Sequence, residues 1–249
     1  MGQLAAADIM SIWERGEART PIDRALTMLA AVRPELGWDD IAALPIGQRD
    51  LLLLAAHQQA FGNAMDGITA CPDCGEVLEC ALDADQFARQ LGSDSPVAAG
   101  STYDLAIDGM EIRFRLPTSV DVMATTQLGG GVAAGRMLLV SRCATVTAGD
   151  GAAIDPATLP EHVLAAIEDA MASHDPAAII DLDLTCPGCG VSWVEPFHIA
   201  DFLWIRIAAA AQRLLVDIDT LARAYGWRES DILAMSAARR QGYLNLVLG

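Results

Sequence analysis

"CPDCGE" at residues 71–76 and "CPGCG" at residues 186–190 repeat one short pattern, Cys-Pro-x-Cys-Gly, in a chain that otherwise reads as helical. Between Cys74 and Cys186 lie 111 residues. Either the motifs are two independent dithiols, or they are the halves of one metal site. In such a turn the two thiolates converge on one point, and the glycine relieves crowding where backbone N–H groups turn toward the sulfurs. Tetrahedral zinc takes four sulfur ligands, so one knuckle supplies half a site and two supply a closed one. The first reading is therefore a split four-cysteine zinc ribbon, with Cys71, Cys74, Cys186 and Cys189 holding a structural Zn2+ ion. Its gap is far longer than the roughly 15–20 residues usual between ribbon halves, which geometry tolerates. One shared ion requires sulfurs of the two pairs about 3.5–4 Å apart, and separations above roughly 10 Å exclude it.

The alternatives are a ribbon without metal and redox or disulfide roles for the pairs. A thioredoxin-type pair opens a helix after a strand. Here each motif runs into extended sequence, "GEVLECAL" (75–82) and "GVSWVEPF" (190–197). Cys80 and Cys143 fall outside the motif and are expected to be buried small hydrophobes. His57, His162, His174 and His198 lack ligand spacing, although His198 stands near the second knuckle as a substitute ligand.

Composition removes several function classes. Acidic residues number 33 against 16 basic ones, for a net charge of −17. A field of that sign opposes binding to a phosphate backbone. All 16 basic residues are arginine, so a phosphate-loop lysine, a Schiff base and a lysine general base are excluded. "GGGVAAG" (129–135) therefore has no phosphate-binding role. No apolar run reaches the roughly 18 residues of a membrane helix, and the first twenty residues lack a signal-peptide pattern. The expectation is a cytoplasmic protein that acts on no small-molecule substrate, nucleic acid or membrane. A closed site of four cysteines has no open coordination position, so the chain is expected not to be an enzyme.

Around the knuckles the pattern is mainly helical. "AAADIMSIWERG" (5–16), "TPIDRALTMLAAV" (20–32) and "GWDDIAALPIGQRDLLLLAAHQQAFG" (37–62) carry helix-spaced apolar residues, with Thr20-Pro21 as a start signal and a break at Leu44-Pro45. "YDLAIDGMEIRFRL" (103–116) predicts a β-hairpin with Asp108-Gly109 as a type I′ turn and Asp104 opposite Arg113. Helices are expected at 81–92, after Pro117 and from Pro160, and a strand at "AIIDLDLT" (178–185). Loops are expected at "SDSPVAAGS" (93–101) and "TAGDGAAIDPATLP" (147–160), a flexible stretch at "LGGGVAAG" (128–135), and either helix or strand at "GRMLLVSRCATV" (135–146). A long helix runs from Ile199 to about Tyr225, with a seam of Ile207, Ala211, Leu214, Ile218, Leu221 and Tyr225 and pairs Arg213/Asp217 and Asp219/Arg223. "GWDDIAALPIGQRDLLLL" from Gly37 is echoed by "GWRESDILAMSAARRQGYLNLV" from Gly226.

The combination of "LPIGQRDLLLLAAHQQAFG" (44–62) leading into "CPDCGEVLE", "IRFRLPTSVDV" (112–122), and "CPGCGVSWVEPFHIADFLW" (186–204) running into "LARAYGW" (221–227) and "RRQGYL" (239–244) resembles the T-even-type phage baseplate hub assembly chaperone family. The likeness covers most of the chain and is read as most specific from Phe202 to Val247. Family members often carry acidic residues at the places of Ile205 and Ile207, and the T-even versions need not hold the cysteine pairs. The resemblance implies an assembly or structural role in the baseplate of a contractile phage tail or phage-tail-like injection system. Hub or spike proteins would be the partners, meeting Trp227, Arg239, Arg240 and Tyr243, and the resemblance implies a location in the cytoplasm of a bacterial host cell or in the assembled particle.

The expected fold is α+β, mainly α, with helical hairpins around a split four-cysteine zinc ribbon and an inserted β-hairpin. Its divisions are an N-terminal helical segment (1–65), the first half-ribbon (66–87), an insertion (88–180), the second half-ribbon (181–198), and a long helix with a C-terminal helical hairpin (199–249). The clip is expected to make the two ends of the chain one body. A zinc-ribbon regulatory or nucleic-acid module, and a dithiol oxidoreductase, stand as alternatives.

Overall fold

A computed structural model describes residues 4–92 and 100–249. The chain divides into two compact units. One comprises the N-terminal segment up to Leu36, Leu53–Gly62 and His198–Gly249; the other comprises Gly37–Leu52 and Asn63–Phe197. The class is α+β and mainly α, as expected.

The first unit is helical. It contains α1 (Ala6–Gly16), α2 (Pro21–Val32), the later turns of α4 (Ile46–Phe61), α9 (Ile199–Tyr225), α10 (Glu229–Leu233) and α11 (Ala237–Leu248). The start signal at Thr20-Pro21 operates as predicted: the Thr20 side chain accepts from the Asp23 N–H, and proline at the first helical position forfeits no bond. The spine is α9, which ends where Gly226 turns left-handed at φ +70°. Ile207, Ala211, Leu214 and Leu221 of its seam are buried, while Tyr225 at the end is 39% exposed. Met10 packs with Ala211 and Leu214, and Leu221 packs with Ile232 and Leu244. α1 approaches α9 so closely that a Cβ at Gly16 would lie 2.4 Å from the Trp204 ring. Arg24 covers that ring at 4.6 Å and donates to the Gly16 and Glu17 carbonyls, satisfying the open end of α1. Asp219 pairs with Arg223 as expected, but Asp217 pairs with Arg240 of α11. The core of this unit therefore joins the terminal helices of the chain.

Among the described residues, the second unit holds all the strands. β1 (Ala64–Ala70) and β2 (Val77–Asp83) form one hairpin, and β7 (Asp181–Thr185) and β8 (Ser192–Pro196) another. Between them in sequence lie α5 (Ala84–Gln90), β3 (Thr102–Ile107), β4 (Met110–Arg115), α6 (Ser119–Leu128), α7 (Gly131–Cys143), β5 (Ala144–Ala148), β6 (Ala153–Ile154) and α8 (Glu161–His174). α3 (Trp38–Ala42) and the first turns of α4 belong here as well. The predicted turn is present: Asp108 and Gly109 have φ of +50° and +76°, and Asp104 pairs with Arg113 at 2.8 Å.

Three expectations need correction. The hairpin is not isolated, because β5 and β6 extend it to a four-stranded antiparallel sheet. "GRMLLVSRCATV" is both elements, a helix through Cys143 and then a strand whose Val146 points into the core. The stretch read as loop at 147–160 contains β6. "LGGGVAAG", expected as a flexible stretch, holds the end of α6, where Gly129 has φ +67°, and the start of α7 at Gly131. The loop expected at 93–101 lies largely outside the described residues. Ile112, Phe114, Val146, Val163, Leu164 and Ile167 form the centre of this unit's core, with α8 laid across the sheet.

Among the described residues, no helix is long and apolar enough to cross a membrane.

Candidate metal centre

In both cysteine hairpins, alternation sets a solvent face and an inner face. On the inner faces, Thr69 Oγ1 donates to Glu195 Oε2 at 3.4 Å, and Trp193 Nε1 donates to the same oxygen at 3.0 Å. Each tip is closed by the same two bonds. Cys71 N–H donates to the Glu76 carbonyl at 2.8 Å and Gly75 N–H to the Cys71 carbonyl at 3.0 Å. At the second tip, Cys186 N–H donates to Val191 at 2.9 Å and Gly190 N–H to Cys186 at 2.9 Å. Gly75 and Gly190 take φ of +74° and +76°, which side chains disfavour. That requirement explains the glycine ending each motif.

The four predicted ligands come together. Cys71 Sγ lies 3.6 Å from Cys189 Sγ, and Cys74 Sγ lies 3.6 Å from Cys186 Sγ. All four sulfurs lie within 4.8 Å of one another. A tetrahedron with metal–sulfur bonds of about 2.3 Å has edges of about 3.8 Å, so the donor set fits one four-coordinate ion. The 3.6 Å contacts join different knuckles and exceed a disulfide bond of about 2.04 Å. Two remote dithiols are therefore excluded. Cys71 and Cys186 are buried and Cys74 and Cys189 exposed, so one edge of the site faces solvent. The Cys74 backbone N–H pulls the Cys71 thiol down to about 7, while the neighbouring sulfurs push the Cys74 and Cys189 thiols up.

The remaining candidates lie elsewhere. Cys143 is buried, and burial pushes its thiol up to about 12, as suits a core residue. Cys80 is half-buried on the inner face of β2, more open than expected. His198 precedes α9 in the first unit and is no part of the cluster, which among the described residues comprises the four cysteines.

Comparison with protein families matches residues 34–204 to the family described as "T4 bacteriophage base plate protein". The match covers more than half of the chain and spans both knuckles. The chain belongs to this family. No curated protein and no solved structure matches it. The matched residues end at Trp204, so most of the C-terminal stretch read as the most specific part of the resemblance lies beyond them.

In this base plate protein, polar residues of "LPIGQRD" and "RLPTSVD" form a second buried cluster, whose role was not legible in the sequence. Pro45 bridges Thr118, and Ile46 N–H donates to the Pro117 carbonyl at 3.1 Å. Gly47 N–H donates to Asp175 Oδ2 at 2.9 Å, and a Cβ at Gly47 would lie 1.9 Å from Asp175 Oδ1. Arg49 pairs with Asp50 and donates to Ser119 at 3.1 Å. Arg115 grips Asp121 with two bonds of 2.6 and 2.9 Å, and Arg142 adds a third at 2.9 Å. Burial opposes the charge on Asp121, but the bonds from Arg115, Thr118 and Arg142 outweigh it and hold the carboxyl well below the usual range. Asp175 goes the other way: its burial outweighs the Gly47 N–H, and the nearby Asp50 raises it further.

The C-terminal residues expected to meet a partner divide into two kinds. Trp227 is half-buried, stacked on Tyr225 at 4.4 Å and edge-on to Tyr243 at 4.8 Å. Arg239 is exposed, 5.8 Å from the Tyr243 ring. Arg240, expected to meet a partner, is instead largely buried: its side chain is 12% exposed and bonded to Asp217 at 3.0 Å.

Proposed function

We propose that this protein is a non-enzymatic structural or chaperone-like component of the base plate hub of a contractile phage tail or a phage-tail-like injection system, with a structural zinc ion at Cys71, Cys74, Cys186 and Cys189. The observation that carries the reading is the family match at residues 34–204, within which the four-cysteine cluster lies. Zinc is favoured because an all-sulfur tetrahedral set is its usual structural environment. When bound, the ion would supply a crosslink between two hairpins, and four protein ligands would leave it no open position for a reacting molecule. Hub or spike proteins are the proposed partners, with Trp227, Arg239 and Tyr243 as the contact of the C-terminal hairpin, because aromatic and arginine side chains are frequent interface anchors.

The nucleic-acid reading of a zinc ribbon is disfavoured by the hairpins themselves. No arginine or lysine occurs at 62–88 or 175–205, so nothing there neutralises phosphate. A dithiol oxidoreductase is disfavoured by the cross-knuckle contacts of 3.6 Å.

The test is purification of tagged protein from its native host, with metal analysis of the product. One zinc per chain and recovery of base plate proteins, assembled or free, are expected. Absence of every base plate protein would defeat the functional reading, and absence of metal would defeat the zinc assignment.

A further inference from the structure

The two knuckle hairpins are near copies, and their difference points to a docking surface. In the first, the outward pair next to the knuckle is Ala70 and Val77; in the second it is Thr185 and Ser192. The polar pair satisfies itself through a hydroxyl–hydroxyl bond of 2.9 Å. The apolar pair faces solvent with Val77 66% exposed, beside Ile68 at 76%. A solvent-facing strand position does not require an apolar residue, and the second hairpin fills the positions equivalent to Ala70 and Val77 with polar ones, although one pair further out it too exposes an apolar residue, Val194 at 55% opposite Asp183, as Ile68 lies opposite Glu79. Folding thus gives no account of Val77, which extends Ile68 and Ala70 into a larger apolar patch on the first hairpin. Every charged residue on the same face is acidic: Asp66, Glu79 and Asp83.

We propose that the outward face of β1 and β2 docks a second protein through Ile68, Ala70 and Val77, and that the partner presents an apolar patch rimmed by lysine or arginine. The apolar centre would supply burial, and the acidic rim would select the partner and speed encounter. A second copy of this chain fits poorly, because its net charge is −17 and its own hairpins carry no basic residue. This inference names a protein partner by chemistry and does not depend on the C-terminal contact proposed above.

The test places a photo-crosslinking benzophenone side chain at Ile68 of the full chain, with Ser192 as the control position, in cells producing the native particle. Crosslinked peptides are then identified by mass spectrometry. The expected result is an Ile68 adduct with a peptide of another protein that contains lysine or arginine, and at least tenfold less from Ser192. Two further variants carry the crosslinker at Ala70. Ile68→Asp/Val77→Asp should lower the Ala70 adduct at least tenfold with metal content and Tm unchanged. Asp66→Lys/Glu79→Lys, which keeps the apolar centre, should do the same. An adduct with this chain's own second copy, a partner peptide without basic residues, equal yields at both positions, or no adduct overturns the proposal. A basic partner from outside the base plate would uphold it while sinking the base plate reading.

Discussion

Cys74 Sγ and Cys186 Sγ lie 3.6 Å apart although 112 positions separate them in sequence. A contact of that span closes a long loop, and an ion holding it restricts the unfolded chain as well as joining the hairpins.

Serine at Cys74 or Cys186 is therefore expected to abolish stoichiometric zinc and destabilise the second unit by at least about 3 kcal/mol, well below the roughly 10–16 kcal/mol apparent binding free energy of structural zinc sites. Cys80→Ser should retain the metal. Metal analysis and urea unfolding of the three variants check this. Full zinc occupancy in Cys74→Ser would remove that residue from the ligand set.

A second expectation concerns the backbone under Asp175. Because a Cβ at Gly47 would lie 1.9 Å from Asp175 Oδ1, Gly47→Ala must displace the buried carboxylate from the N–H it accepts. The expected cost is about 1–3 kcal/mol. Adding Asp175→Ala removes the obstruction, so the double variant should cost less than the sum of the singles. Strict additivity in denaturant melts would contradict the overlap.

The pH dependence follows from two carboxylates of opposite sign. Asp121 is held below its ordinary value, so its contribution is present above about pH 4 and lost as pH falls toward the folded value. Asp175 is raised, so ionising it costs stability as pH rises from about 4 through its folded value. Asp121→Asn should cost about 3 kcal/mol at pH 7, and the difference from wild type should shrink in acid. Asp175→Asn should flatten the fall in stability on the alkaline side of pH 4. Urea unfolding from pH 3 to 8 measures both, and a constant difference for Asp121→Asn would refute the assigned cause.

Much of this was legible because it is local. Thr20-Pro21, Asp108-Gly109 and the seam of α9 fix conformation through neighbours in sequence, and each element appears where those residues place it. The cysteine cluster was legible despite its span because thiolates in a Cys-Pro-x-Cys-Gly turn have few chemical uses. Long-range pairing was not. Whether 144–148 is strand depends on β4 beside it, and α7 supplies Cys143 while β5 supplies Val146 to one core. The cluster of Arg49, Ser119, Asp121 and Asp175 was equally invisible. Asp121, three residues after Thr118, reads as the N3 member of a capping box, and only the fold brings Arg115 and Arg142 to it.

The adjacent arginines of α11 offer a way to separate folding from binding. Arg240 is 12% exposed and holds Asp217 of α9, so Arg240→Ala leaves a partly buried carboxylate unpaired. It should destabilise the first unit by about 1–3 kcal/mol. Arg239 is exposed beside Tyr243, so Arg239→Ala should change stability by less than about 0.5 kcal/mol. If the C-terminal hairpin is an interface, Arg239→Ala weakens recovery of base plate proteins while Tm stays fixed. Arg240→Ala should weaken recovery only as far as it unfolds the unit, and stabilising conditions should restore it. Thermal melts paired with co-purification yields decide the matter. Unchanged recovery for both Arg239→Ala and Arg239→Glu would place the interface away from this hairpin.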